Sequence, residues 1–456
     1  MKCNITDPAY ILARPLTFPV GRKRILFDSA LPSFKTPTRI SRLEDSLRKL
    51  SRYRSLYPTL RHGNPSSISD PQSFFAPTAP RTFTPRTQHL SAPPFIVAAA
   101  LSWLSAHDVY RNITETVPGE ADPFLAAEAI RNGGIVLTGD SDLLVFSGGE
   151  REWGVVMMQD LAFTDTGVSA RVFRPTHMAA SLKYPLLEIA YQTSLDPHTT
   201  LSQILERLKR VEERRRQGVG KQNIPDGFIR EYMLPPVGEP ARTVEEPRIG
   251  ELLFLAANKK PASKRKMYFP FLIEDPQRAP AWEAGSSIRG LAYSLLFGVG
   301  EGGVMEVFRR GVRITDSLVD CVDGEAKVTE LAARMLSAPD SWWASVILED
   351  ICDIAQGRNQ GPPTANELSA SATSLLPSGL SATSEKTKQK WTWALLHTFA
   401  MTQAGWYSLL LLREVLAYLD SHGAVVAFNP ENVEVLRHLQ PSTSPTRPCQ
   451  SSLPQA

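Results

Sequence analysis

Residues 117–146, VPGEADPFLAAEAIRNGGIVLTGDSDLLVF, constrain this chain more than any other stretch. They carry four carboxylates in two close pairs, Glu120 with Asp122 and Asp140 with Asp142. Asp122-Pro123 reads as a helix start, an Asp N-cap followed by Pro at the first helical position. Phe124 to Asn132 continues that helix, and Gly133-Gly134 ends it. Residues 135–138, Ile-Val-Leu-Thr, form a short apolar run of the type buried in a parallel sheet, and Gly139-Asp140-Ser141-Asp142 turns out of it. Open α/β sheets place ligands beyond the carboxyl ends of their strands. A helix start and a strand end would therefore bring all four acids to one edge.

Clustered carboxylates repel one another and destabilise the fold unless a cation or protons compensate. Hard oxygen donors of this kind suit Mg²⁺ or Mn²⁺ and not Zn²⁺. Two such ions about 4 Å apart would stabilise both oxygens of an in-line displacement at a phosphodiester. The plainer reading stands beside this one: Asp122 serves only as a cap, and Asp140 and Asp142 only form turns through their side-chain hydrogen bonds.

Upstream, RKRILFDSALPSFK (residues 22–35) opens with a basic run and a short apolar strand, with Asp28 at its end and Pro32 in the loop beyond. Read alone, Asp28 is a strand-to-turn residue. Together, these segments resemble the flap-endonuclease/XPG family of 5′ nucleases, whose fold is PIN-like. That family carries a Glu-x-Glu/Asp element at a helix start and a T-x-D-S-D-x-L-x-F segment after a strand. Here the matching residues are Glu120-Ala-Asp122 and Thr138 to Phe146. Asp28 matches the Asp of the family's V-F-D-G-x-x-P-x-x-K segment, with Ser29 in place of the usual Gly. Lys35 and Arg42, seven and fourteen residues after Asp28, match positions that contact the scissile phosphate. More narrowly, PGEAD…GGIVLTGDSDLLVF resembles the fungal branch of the Asteroid proteins.

The resemblance implies a metal set of Asp28, Glu120, Asp122, Asp140 and Asp142 holding Mg²⁺ or Mn²⁺, with Lys35 and Arg42 as catalytic cations on the phosphate. It also has gaps. The family's first strand ends in a metal-ligand Asp well before the position of Asp28, and only 27 residues precede Asp28 here. The expectation is an N-terminally truncated chain or one without that strand. The helical arch that clamps single-stranded DNA is missing, as is the L-x-G-x-D-Y motif that opens a duplex-gripping module. Asp196-Pro197-His198 is the nearest acidic turn, with the wrong neighbours.

At 456 residues and 42% hydrophobic content, the chain can bury a sizeable core. The 36 prolines concentrate in loops and tails, where they cannot break a hydrogen-bond ladder. The four cysteines are far apart, which excludes a zinc knuckle and suits a reducing compartment. No secretory signal or bilayer span is visible, so the expected setting is intracellular, nuclear or cytoplasmic, without a membrane. The overall charge of +3 conceals an asymmetry, because residues 1–62 carry a net +9 and the remainder −6. A basic segment beside acids is what a nucleic-acid backbone requires, although it also describes a solvated helix face.

The expected fold is α/β, a PIN-like/5′-nuclease-like parallel sheet domain followed by a mostly α-helical C-terminal region. Residues 1–62 and 95–175 form the XPG-type domain, incomplete at its N-terminus, and 63–94 a disordered insertion rich in Pro, Ser and Thr. Residues 176–356 follow as a helical region, 357–384 as a low-complexity linker, 385–437 as the helical end and 438–456 as a disordered tail. Helices are expected over 41–57 and, fully buried, over 95–107. The run Lys259, Lys260, Lys264, Arg265, Lys266 reads as a basic loop, either a phosphate or nuclear-import patch or merely solvated. Two functions fit: a metal-dependent nuclease acting on DNA or RNA, or a nuclease-like scaffold that binds protein or nucleic acid without cutting.

Overall fold

The computed structural model describes residues 23–29, 31–60, 90–91, 93–117, 119–146, 148–149, 151–164, 167–196, 198–217, 224–235, 246–321, 324–337, 342–357, 392–422 and 430–437. The expected disordered insertion, the linker and the tail lie almost wholly outside these residues. The chain divides into two compact units. The first comprises Met1–Ser29, Pro65–Thr82 and Asn112–Thr243; the second comprises Ala30–Asn64, Phe83–Arg111 and Val244–Ala456. The class is α/β, as the sequence suggests.

In the first unit, β1 (Ile25–Phe27) and β2 (Thr114–Thr116) pair in parallel, Ile25 opposite Thr114. A second sheet pairs β3 (Gly134–Thr138) in parallel with β4 (Trp153–Met157). After the small hairpin of β5 (Ala162–Thr164) and β6 (Gly167–Ser169), β7 (Val172–Phe173) runs antiparallel to β4. Helix Ala121–Asn132 packs its Ala126 and Ala129 on Val136, Leu143, Phe146, Trp153 and Val155. Small alanines let the helix backbone approach the sheet closely. Gly133 ends the helix at φ +74°, donating its amide to Ala129, and a Cβ there would meet the Glu152 carbonyl at 3.1 Å.

Two expectations change here. Helix Ala121–Asn132 begins before Asp122, with Glu120 at the cap position, so Asp122 lies in the first turn and is not the N-cap. The β3 strand is not buried on both faces. Val136 and Thr138 are covered, while Ile135 and Leu137 are 56% and 38% exposed, because no described element covers that face.

The second unit is built around helix Trp393–Ser421, whose Thr392 hydroxyl accepts the Leu395 amide at 3.1 Å as its N-cap. Helices Ser286–Phe297 and Trp342–Gly357 pack against it, with Trp282, Tyr407, Leu411 and Val415 in the core. Gly285 takes φ +76° where a Cβ would strike the Ser408 hydroxyl, so only glycine allows this contact. The mostly helical segment also holds a small sheet. Its β8 (Lys266–Tyr268) pairs in parallel with β9 (Val304–Arg310), and β9 pairs antiparallel with β10 (Arg313–Val319).

Helix Thr36–Leu56 starts earlier than expected, with Pro37 tolerated in its first turn. It belongs with this second unit and not with the acids. It packs on β10 and is tied down by Arg39 to Glu251 at 2.9 Å and Arg54 to Asp275 at 3.2 Å. Helix Ile96–Ala106 also belongs here. It buries Leu101 and Leu104 but leaves Val97 43% exposed, so it is half-covered and not fully buried. Two members of the basic run are engaged by the fold, while Lys259 and Lys264 are exposed. Arg265 is buried, donating to the carbonyls of Lys260, Glu301 and Gly302, and Lys266 pairs with Asp316 at 3.0 Å. No helix among the described residues is long and apolar enough to cross a membrane.

Charged groups are buried in pairs. Arg289 is fully enclosed and forks onto Glu306 at 2.6 and 2.9 Å, and the Tyr293 hydroxyl donates to the same carboxylate at 2.8 Å. Its remaining donors reach Ser408 and the carbonyls of Trp282 and Ala284. Arg289→Ala would strand the Glu306 charge in the core and cost about 3–5 kcal/mol. Arg48→Ala, at an exposed pair with Asp45, would cost about 0–1 kcal/mol. Urea unfolding of the two variants beside the parent chain checks the contrast, and equal losses would refute it.

Candidate functional site

The site begins with one hydrogen bond. Asp28, immediately after β1, accepts the Ala121 amide on Oδ1 at 2.7 Å. The first amides of a helix have no partner within the helix. A carboxylate from a strand 93 residues earlier in the sequence supplies one here. Backbone bonds from Val117 to the Phe27 carbonyl (2.9 Å) and from Ser29 to the Gly119 carbonyl (2.9 Å) extend the same junction. Asp28 therefore stands at the helix end that carries Glu120 and Asp122. Glu120 occupies the cap position in extended geometry and makes no capping bond with its own side chain.

The second pair is set by local turn chemistry. Thr138, the last residue of β3, accepts the Asp140 amide on its hydroxyl at 3.0 Å. Asp140 Oδ1 accepts the Asp142 amide at 3.0 Å and opens the 3₁₀ turn Ser141–Val145. Leu143 and Phe146 anchor that turn in the core, and the two aspartates remain at the surface. The turn-forming role foreseen for Asp140 is real, but it engages one carboxylate oxygen only.

The other four carboxylates all act on Asp122. Burial, then the charges of Asp140, Asp28, Asp142 and Glu120, push the Asp122 carboxyl up to about 7. Sequence reasoning missed one member, Tyr232, which follows the short helix Asp226–Glu231 and packs on Phe146 (5.6 Å) and Phe228 (5.3 Å). Burial, then Asp142, Glu231, Asp140 and Glu120, raise its hydroxyl well above the ordinary tyrosine value, so it stays protonated beside the acids. No local motif announces it, because tertiary packing alone brings it there.

The donor set is all oxygen and negatively charged, which fits Mg²⁺ or Mn²⁺ in its chemistry. As placed, no three His, Cys, Asp or Glu side chains among the described residues converge closely enough to hold one ion together. Lys35 closes the 3₁₀ turn Ser33–Lys35, with its ammonium 6.0 Å from the Phe34 ring, and Arg42 is exposed on helix Thr36–Leu56. Both belong to the second unit, whereas the carboxylates belong to the first. Asp196 is taken up by its own turn, accepting from the His198 amide and the Thr199 hydroxyl.

The raised Asp122 carboxyl carries a sign. Between about pH 4 and about pH 7 the unfolded chain ionises this group before the native one does. Native stability therefore falls as pH rises through that window. Asp122→Asn removes the ionisation. In melts without divalent cations the variant should gain stability over the parent at about pH 8, and that gain should vanish at about pH 4. A gain of the same size at both pH values would show that the acids do not act on Asp122.

Neither the curated proteins nor the solved structures include a match to this chain. A family model described as XPG domain containing does match, over residues 92–321, and so takes in Glu120, Asp122, Asp140 and Asp142. That match covers half of the chain. With the Glu-x-Asp helix start and the Asp-Ser-Asp strand end acting on one half-buried carboxyl, the chain belongs to the XPG-domain-containing family.

Proposed function

We propose that this protein is an Asteroid-type member of the XPG superfamily and acts as a divalent-metal-dependent phosphodiesterase on DNA or RNA. The observation that carries the reading is the raised Asp122 carboxyl at the helix start that Asp28 holds in place: burial and four other carboxylates act on it. Such an arrangement destabilises a folded chain unless something positive binds there. Asp28, Glu120, Asp122, Asp140 and Asp142 would hold Mg²⁺ or Mn²⁺. When bound, the cation would supply Lewis-acid stabilisation of charge on a phosphate oxygen.

The chain's own residues have separate tasks in this reading. Asp28 keeps the helix start against the strand end, so that Glu120 and Asp122 face the same site as the Asp140 turn. Tyr232, held protonated, is a hydrogen-bond donor toward a substrate oxygen and not a base. Lys35 and Arg42 are proposed on motif spacing to steady the substrate phosphate, a task that suits guanidinium and ammonium groups. Hydrolysis would consume one water per phosphodiester, adding its oxygen at phosphorus and breaking one ester P–O bond.

A second reading is a scaffold that binds nucleic acid without cutting. It is favoured by the spread of the carboxylates, no three of which converge on one point among the described residues.

The test uses 5′-labelled flap and single-stranded DNA and RNA with Mg²⁺ or Mn²⁺. Asp140→Ala/Asp142→Ala and Lys35→Ala/Arg42→Ala serve as variants. Cleavage by the parent chain, reduced about 100-fold or more in each double variant, supports the enzyme. Binding without cleavage by a folded parent chain transfers support to the scaffold.

A further inference from the structure

The hairpin of β9 and β10 is built differently from a solvated turn. Its two-residue loop is Gly311-Val312, with Gly311 at φ +57° in the first central position, as a type II′ turn requires. Nothing in that geometry asks for an apolar residue at the next position. Yet Val312 is 83% exposed, the most exposed large hydrophobic residue among those described. The strand pair closing the loop is Arg310 directly opposite Arg313. Like charges facing each other across a ladder cost stability. Neither guanidinium is paired with a carboxylate among the described residues; Arg310 lies over the Phe308 ring, 5.1 Å from its centroid. The one acid on β10, Asp316, is engaged by Lys266.

The tip is also held rigidly. Arg309 is buried and donates to Glu274 at 2.7 Å and to the carbonyls of Pro276, Arg278 and Ala279. One more of its bonds, at 3.1 Å, goes to the carbonyl of Gly311 inside the turn. Arg278, whose carbonyl joins this bracing, turns its own guanidinium to Asp275 at 3.8 Å.

From this juxtaposition we propose that the hairpin tip is a nucleic-acid contact. Arg310 and Arg313 grip backbone phosphates, and Val312 rests against a sugar or base. Guanidinium forks match phosphate oxygens in geometry, and phosphate contacts of this type position a strand without reading its sequence. Bound phosphates would also relieve the repulsion between the facing arginines. For its ligand class the proposal rests on the nucleic-acid reading above, but it needs no metal and no cleavage.

The test measures anisotropy of labelled single-stranded and duplex DNA and RNA with the full chain in EDTA over a range of salt. Arg310→Gln/Arg313→Gln should weaken binding about 10-fold or more. It should also lower the slope of log Kd against log salt by about 1.4–1.8, for two lost phosphate contacts. Thermal stability should hold or rise, since the repulsion is gone. Val312→Ser should weaken binding without altering the slope, and Arg48→Gln, an exposed cation on helix Thr36–Leu56, should change neither by as much. The proposal is overturned by unchanged affinity and slope in the double variant, by an equal loss from Arg48→Gln, or by a parent chain that binds anionic phospholipid vesicles in preference to nucleic acid. Loss of cleavage in the carboxylate variants with hairpin-dependent binding intact would leave this proposal standing. A parent chain that binds but never cuts would sink only the nuclease reading.

Discussion

The bond from the Ala121 amide to Asp28 is the constraint on which the site depends. A three-residue strand such as β1 has little stability of its own, and helix Ala121–Asn132 begins without a capping side chain from its own sequence. One carboxylate answers both needs. It satisfies an orphan helix amide and fixes the strand end against the helix start. Negative charge is favoured at a helix N-terminus, so Asp28, Glu120 and Asp122 each gain something from the helix. The helix thereby offsets part of the repulsion that its own first turn creates. Asp140 gains no such help, which is consistent with its place at the surface, where water screens it.

The second unit solves the opposite problem. It buries charge deeply, but always in satisfied groups. Arg289 with Glu306 and Arg309 with Glu274 each use guanidinium donors on a carboxylate and on nearby carbonyls. His397 shows the limit of that scheme. Its Nδ1 is buried with no hydrogen-bond partner among the described residues, 3.7 Å from Glu274. Burial, with Arg278 and Arg309 close by, drives its pKa down to about 3, so the imidazole stays neutral and adds no further charge. The contrast between the units is one of purpose. Buried charges in the second unit cancel locally, whereas Asp122 is raised by burial and by four carboxylates around it.

How much of this was legible in the residues depended on how local the cause was. The Asp140 turn was readable because Thr138, Gly139, Asp140 and Asp142 bond within a few positions of one another. The start of helix Ala121–Asn132 was misplaced because Asp122-Pro123 imitates a cap. The actual cap comes from Asp28, across a sequence gap that no local pattern reveals. Tyr232 was invisible for the same reason. The β9 strand was missed because Glu306 and Arg309 interrupt its apolar alternation, and only their buried partners explain how a charged residue can sit on a core face. Within the basic run at 259–266, Arg265 misled in the other direction. Charge in a sequence suggests solvent, but Arg265 spends its donors on three carbonyls and its ring-facing side on Phe297 at 4.2 Å.

Arg265 and Arg310 carry the same side chain in the same unit, yet their partners separate their roles. A guanidinium whose donors meet carbonyls, as at Arg265 and Arg309, is fully used by the fold, and removing it strands several backbone acceptors. A guanidinium that faces another across a ladder is not used by the fold; its presence raises the folded state's energy. The Asp122 cluster meets the same criterion with the sign reversed. In each case like charges act on one another, and each group is braced from beneath, by Leu143 and Phe146 in one unit and by Arg309 in the other. Bracing matters because an unbraced cluster would simply spread and lose its repulsion. Held in place, it retains a standing preference for a partner of opposite charge, a cation at the carboxylates and an anion at the hairpin.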